Sequence, residues 1–241
     1  MSTLIAAPLR PGPETLVRRL WREGLQANAS VDDETCQMVV GSRAPDHGSP
    51  RWTPARIAEV AFAREAFVTE AREGGFDELW MVDDDVVCGP GVLERMRQVE
   101  ADVVYGVFWT QSDWGGRWGN WPQVWMTHPY GFVGHPEAWD ELTLQGEARE
   151  LPVAGGGACT LLRGEALSAA PQYHPLLEGL RFAGGMWCGE DRSFALRCAV
   201  RGVSQIAVTN LPIVHLHGLE VEEGSDEGQE LEDAVRQHVG L

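Results

Sequence analysis

The sequence predicts an α/β fold: one domain with a mostly parallel central sheet, flanked by helices and carrying a tryptophan-rich insertion. Three observations point to it. Up to Trp109, apolar runs of strand length alternate with amphipathic helical stretches in the order β-α-β-α-β-α-β. Alternation of that kind makes a parallel sheet covered by helices. One run, Glu78-Leu79-Trp80-Met81-Val82, is bounded by Gly74-Gly75 and Gly89-Pro90-Gly91, which marks it as a buried strand. Finally, 241 residues with 44% apolar content suffice for one full core.

Thr3 to Ala7 reads as a first strand, ended by Pro8. Glu14 to Leu25 follows as a helix with Leu16, Leu20 and Leu25 inward, and Thr35 to Gly41 as a second strand. After a polar Gly/Pro loop to Pro50, Thr53 can cap a helix with Pro54 at its first position and Gly74-Gly75 at its end. The apolar stripe of that helix runs Ile57, Val60/Ala61, Phe67/Val68 and Ala71, with Arg64 interrupting it on the inner face. A helix from Pro90 to Val99 and a strand from Asp102 to Trp109 complete the alternation. From Thr110 to Glu150 periodicity fades, and six of the ten tryptophans crowd between Trp109 and Trp139. Disordered segments lack aromatics, so an ordered, functional loop region is expected there. Val153 to Arg163 places a glycine triplet before a strand; Gly189 to Gly202 reads as a helix, Ser204 to Thr209 and Leu211 to Gly218 as strands. Residues 1–218 then form the domain, with 110–150 as its loops. Residues 219–241, with eight acids against one arginine, form an acidic tail, either a polar helix or a disordered end.

No apolar run reaches the length of a membrane span, and the N-terminus lacks signal-peptide features, so a cytoplasmic protein without membrane partners is expected. The five cysteines show no paired close spacing and are odd in number, which fits reduced thiols. A formal charge of −17 disfavours broad contact with nucleic-acid phosphates. A confined basic track from Arg117, Arg163, Arg181 and Arg192 would be needed to override it.

The chemistry-bearing residues sit at predicted strand and helix ends. Asp83-Asp84-Asp85 ends a buried strand, where open α/β sheets present their ligand sites. Three adjacent acids repel, and a hard divalent cation would offset the repulsion; a solvated acidic turn is the plain alternative. Arg64 either snorkels outward or reaches the crevice to pair with a phosphate or a site carboxylate. The glycine triplet around Gly156 permits close backbone approach to a ligand, though it matches no P-loop. Asp191 opens its helix on the inward side: the dipole favours an acid there as a cap, and the place also suits a catalytic carboxylate beside Glu190. Strand alternation puts His215 and His217 on one face, and two histidines so placed favour metal ligation by at least one. Indole faces suit stacking on sugars or bases, which makes Trp109, Trp114 and Trp187 candidates for acceptor contact.

In order and spacing, Val82-Asp83-Asp84-Asp85, the Asp-Val strand, the glycine-rich strand entry, Gly189-Glu190-Asp191 and the late histidines resemble GT-A-fold glycosyltransferases, most closely the family-2 type of nucleotide-sugar transferases. The resemblance spans about residues 2–218. It implies a Rossmann-like GT-A domain that takes a nucleoside-diphosphate sugar, a UDP-sugar foremost, and uses Mn²⁺ or Mg²⁺. By it, Asp83 lies toward the ribose or metal, Asp85 binds the cation and Asp84 is the variable middle residue. His215 completes the metal's ligands with His217 as substitute, and Arg64 faces the nucleotide. Pro8 stands where many relatives recognise the base. Asp191 is the general base of an inverting transfer, supported by Glu190. The acceptor is left open among a glycan, a small molecule, a protein and a modified nucleobase, since such transferases also occur in phages. The alternatives are a nucleotidyltransferase of similar architecture and a non-catalytic glycan- or nucleotide-binding module.

Overall fold

The computed structural model describes residues 1–12, 14–40, 54–114, 117–125, 127–128, 131–132, 150–152, 155–169, 172–174, 189–216, 221 and 223–241. The chain begins with strand β1 (Thr3–Leu9), helix α1 (Leu16–Asn28) and strand β2 (Glu34–Val39), then helix α2 (Pro54–Glu73). Strands β3 (Glu78–Val82) and β4 (Val86–Cys88) flank the acid triplet and lead to helix α3 (Val92–Arg97) and β5 (Val103–Gly106). The tryptophan-rich region holds β6 (Trp109–Trp114), β7 (Arg117–Pro122), β8 (Val124–Trp125), β9 (Thr127–His128), β10 (Gly131–Phe132) and β11 (Glu150–Pro152). After β12 (Gly155–Gly156) and β13 (Cys159–Arg163) come helices α4 (Gly164–Ser168) and α5 (Glu190–Arg201). Strands β14 (Gln205–Val208) and β15 (Ile213–His215) and helix α6 (Asp226–Val239) follow.

Seven strands form the central sheet in the order β11-β14-β5-β13-β3-β1-β2. β2, β1, β3, β5 and β14 run the same way, whereas β13 opposes both of its neighbours and β11 opposes β14. The sheet is therefore mostly parallel and Rossmann-like. Its two faces are read directly from period-two alternation. Ile5, Ala7, Trp80 and Val82 join one apolar layer under α1, α3 and α6, while Leu4, Ala6, Leu79 and Met81 join the other under α2, α4 and α5.

Helix boundaries follow local chemistry. Thr15 caps α1 by accepting the Arg18 N–H, and Gly202 ends α5 with a φ of 74°, a left-handed turn that glycine adopts without strain. Residues 226–239, set apart in the sequence as an acidic tail, dock on the sheet through α6. Ser225 caps this helix, and Val235 and Val239 enter the core layer beside α1. Its charged side is tied down by Arg19–Glu232 at 2.7 Å and Arg236–Glu23 at 2.7 Å. The loop expected between Thr110 and Glu150 contains an antiparallel hairpin, β6 with β7.

Of the four arginines that a basic track would need, Arg163 and Arg192 have described side chains. Arg163 lies opposite Glu78, at the far end of β3 from the acid triplet, and donates to the carbonyl oxygens of Ala101 and Arg97. Arg192 is buried, Arg181 lies outside the described residues, and so does the side chain of Arg117.

Candidate active site

β3 delivers Asp83, Asp84 and Asp85 to the carboxyl edge of the sheet, and the chain reverses at once into β4: Val86 N–H bonds the Asp83 carbonyl at 3.0 Å. β4 pairs antiparallel with β15, so that His215 lies opposite Val86, and Leu216 N–H bonds the Asp85 carbonyl at 2.8 Å. That register brings the late histidine to the triplet. Asp85 and Asp83 then take different partners, and Asp84 takes a third that it shares with Asp85.

Asp85 faces His215, with Oδ2 3.3 Å from Nε2 and both side chains 10% exposed. The other ring nitrogen, Nδ1, is 2.7 Å from the Thr110 hydroxyl, and the imidazole sits against the Phe108 ring. An outer partner on one nitrogen orients the other toward a ligand.

Asp83 turns instead toward α2. Arg64, buried to 4% side-chain exposure, donates to Asp83 at 3.1 Å, and its Nε lies 3.8 Å from a Glu190 oxygen, beyond hydrogen-bond range. The guanidinium also rests over the Tyr173 ring, which stacks on Phe194 of α5. Burial opposes the Arg64 charge, but Asp83 and Glu190 outweigh it and hold the proton on. Burial pushes the Asp83 carboxyl up, against the pull of Arg64 and with Asp85 and Asp84 adding to the rise.

Asp84 is the most enclosed of the three. Arg10, just past β1, gives it a backbone N–H at 2.9 Å and Nε at 2.9 Å, and Arg18 of α1 approaches to 3.5 Å. The middle residue thus fastens the β1–α1 connection, which no D-x-D pattern conveys.

Across Arg64 stands the start of α5. Glu190 is buried and Asp191 half-buried, and an Asp191 oxygen accepts the Arg192 N–H at 2.7 Å, so this side chain also serves its helix start. A methyl group on Gly157 would stand 3.4 Å from the other Asp191 oxygen, which places this carboxylate at the glycine-rich entry to β13. The same entry meets Asp83, whose N–H bonds the Ala158 carbonyl at 2.8 Å, and Ala158 holds an unusual φ of 47° there.

Gly156 has a packing reason: a Cβ there would lie 2.8 Å from the buried Tyr105 ring. Pro8 is buried within β1, opposite Met38 of β2. Trp109 is 37% exposed; Trp114 belongs to β6, but its side chain lies outside the described residues, as do Trp187 and His217 altogether. The geometry therefore joins Asp85 with His215 and joins Asp83, Arg64 and Glu190. Among the described residues no group of three or more His, Cys, Asp or Glu is close enough to hold a metal unaided. The site also takes in Arg10, Arg18, Thr110 and Tyr173, none of them among the candidate site residues of the sequence. Only Arg10 carried a signal, being a cation directly after a strand at the sheet's carboxyl edge.

Burial, with Asp191 adding and Arg64 opposing, lifts the Glu190 carboxyl from 4.5 to about 7. Its proton is held more tightly in the folded chain than in the unfolded one. The associated stabilisation is fully present below about 4.5 and is lost as pH rises through about 7. Glu190→Gln is expected to flatten that decline. Melting temperatures across pH 5 to 8 check it, and a variant profile parallel to the native one rules the assignment out.

No protein-family model matches the chain, and no curated protein matches it. Among solved structures it is similar to A197 from STIV, at 18% identity and a TM-score of 0.50, over 89% of this chain and 85% of that one. It is also similar to a glycosyltransferase involved in the glycosylation of the major capsid of PBCV-1, at 11% identity and a TM-score of 0.44 over 98% of both chains. A third is 4-diphosphocytidyl-2C-methyl-D-erythritol synthase, at 12% identity and a TM-score of 0.40 over 97% of both. The first likeness, at a TM-score of 0.50 and 18% identity, speaks for fold alone.

Proposed function

We propose that the chain is a metal-dependent glycosyltransferase that moves a sugar, with inversion, from a nucleoside-diphosphate sugar to an acceptor hydroxyl, a UDP-sugar being the favoured donor. One observation carries the reading: Asp85 and His215 meet at 3.3 Å while Arg64 links Asp83 to the Glu190–Asp191 helix start, all at the sheet edge where α/β folds take ligands.

The residues fit the cation. Asp85 and His215 would hold Mn²⁺ or Mg²⁺, leaving the rest of an oxygen-rich shell to diphosphate and water. When bound, the cation supplies neutralisation of charge on the leaving diphosphate. Arg64 and Asp83 face the nucleotide, and the buried Arg64 Nε, with no hydrogen-bond partner among the described residues, fits a ligand acceptor. Asp191 takes the acceptor hydroxyl's proton as its oxygen bonds the anomeric carbon and the bond to diphosphate breaks. Glu190, braced on Arg64, positions Asp191. Exposed Trp109 stands on the acceptor side. The acceptor class is open among glycans, small metabolites, protein side chains and modified bases. No described helix is long and apolar enough to cross a membrane.

Calorimetric titration of UDP with and without Mn²⁺ tests the reading. Native protein binds UDP only with Mn²⁺, and Asp85→Ala weakens that binding on the order of 100-fold, as losing a ligand exceeds losing its outer support. Equal binding by the variant places the site elsewhere. A second reading, a nucleotidyltransferase, draws on Arg10 and Arg18, two cations from the β1–α1 segment that converge on Asp84 and would suit a triphosphate. Release of pyrophosphate in place of a nucleoside diphosphate would decide for it.

A further inference from the structure

Two cationic or cation-capable groups meet one oxygen. Asp85 Oδ2 lies 3.3 Å from His215 Nε2 and also 3.3 Å from a terminal nitrogen of Arg10. The rest of Arg10 is anchored: its N–H and Nε are held by Asp84, and Arg18 donates to the carbonyl oxygens of Arg10 and Gly12. The main chain at residue 10 is thus gripped from two sides. The side chain is nonetheless 36% exposed, against 10% for Asp85.

A divalent cation seated between Asp85 and His215 would stand within a few ångströms of that guanidinium, and at such distances like charges repel strongly in a partly buried site. A diphosphate reverses the sign of the encounter, because its oxygens accept the paired donors of a guanidinium fork. We propose that Arg10 is an exchangeable counter-cation and a donor-binding residue. It neutralises Asp85 before ligands bind, and it moves its guanidinium onto the diphosphate oxygens when a divalent cation and a nucleoside diphosphate arrive together. This rests on the metal-site reading given above. Arg10 then opposes the metal alone and favours the metal–nucleotide pair, so the two ligands are positively coupled through one side chain. The move gives up the Nε contact with Asp84 Oδ1 for a phosphate oxygen, while Asp84 keeps its hold on the Arg10 N–H and serves as the pivot.

The test measures two affinities in native protein, Arg10→Gln and Arg10→Lys: Mn²⁺ alone, followed by electron paramagnetic resonance of the free ion, and UDP at saturating Mn²⁺, by calorimetry. Arg10→Gln is expected to bind Mn²⁺ alone about tenfold tighter and UDP about tenfold weaker, from removal of one nearby charge and one bidentate contact. Arg10→Lys keeps the charge without the fork, so its Mn²⁺ affinity stays native while UDP weakens; it also preserves a cation beside Asp84 should the glutamine variant fold poorly. Mn²⁺ affinity unchanged or lowered in Arg10→Gln overturns the proposal, as does a shift of both affinities in the same direction. Native Mn²⁺ binding with variants indistinguishable from it removes the proposal and leaves the metal reading standing. Absence of Mn²⁺ binding in all three proteins, with or without UDP, removes both.

Discussion

Arg64→Met is expected to lower the stability of the fold by about 3–5 kcal/mol near pH 8, the scale seen when one partner of a buried charge pair is removed. The side chain is 4% exposed and contacts Asp83 at 3.1 Å, with Glu190 at 3.8 Å. Methionine fills the volume of the aliphatic stem and removes only the guanidinium, which lies over the Tyr173 ring, so the loss is chiefly electrostatic. Without the guanidinium, two carboxylates pushed upward by burial lose the cation that most opposes that rise among the described residues. They relieve the strain by taking protons, so the penalty shrinks as pH falls toward about 7, the value to which Glu190 is already lifted with Arg64 in place. Urea unfolding at two pH values reads both parts. Adding Glu190→Gln to Arg64→Met should recover part of the loss at pH 8, and a double-mutant cycle isolates the coupling. A methionine variant as stable as native at pH 8 would mean that the Asp83–Arg64–Glu190 arrangement is not a charge bridge at all.

How much of this was legible beforehand depends on the length scale of the signal. The helix rhythm Ile57, Val60/Ala61, Phe67/Val68, Ala71 already puts Arg64 on the inner face, and an inward arginine demands a partner; both are local facts of one helix. β3 is equally local, five apolar-rich residues between glycines. The partners are not local. Whether Asp83 or Asp85 meets His215 depends on the antiparallel β4–β15 register, and β4 is three residues long, too short to show periodicity. Asp84 looks interchangeable in a D-x-D spacing, because its importance arises from Arg10, 74 residues away. α6 hid for a related reason. Its acids occupy the solvent side, and Leu231, Val235 and Val239, one turn apart from each other, are the short stripe that gives away the face docking on the core. Opposed β13 within a parallel sheet is a matter of chain path, which alternation of elements does not encode.

Asp191→Asn separates the two roles that the helix start allows. As a helix-start residue, Asp191 needs only an acceptor for the Arg192 N–H, now at 2.7 Å, and the asparagine side-chain oxygen supplies one. Stability should then hold within about 0.5 kcal/mol, as for substitutions that keep such a contact. As a general base it needs a site for a proton, which asparagine lacks, and turnover should fall by about 10²–10⁴. The assay does not require the acceptor to be known: Mn²⁺-dependent release of UDP from a UDP-sugar, with water as acceptor, reads the same proton transfer. UDP affinity should stay native, since the carboxylate lies at the glycine-rich entry to β13 and not at the Asp85–His215 pair. Glu190 is a poorer candidate for the role because it is buried and opposed to Arg64, whereas Asp191 keeps partial exposure. The same comparison predicts that Glu190→Gln retains more turnover than Asp191→Asn. Undiminished UDP release by Asp191→Asn would assign the residue to the helix start alone and move the search for a base elsewhere.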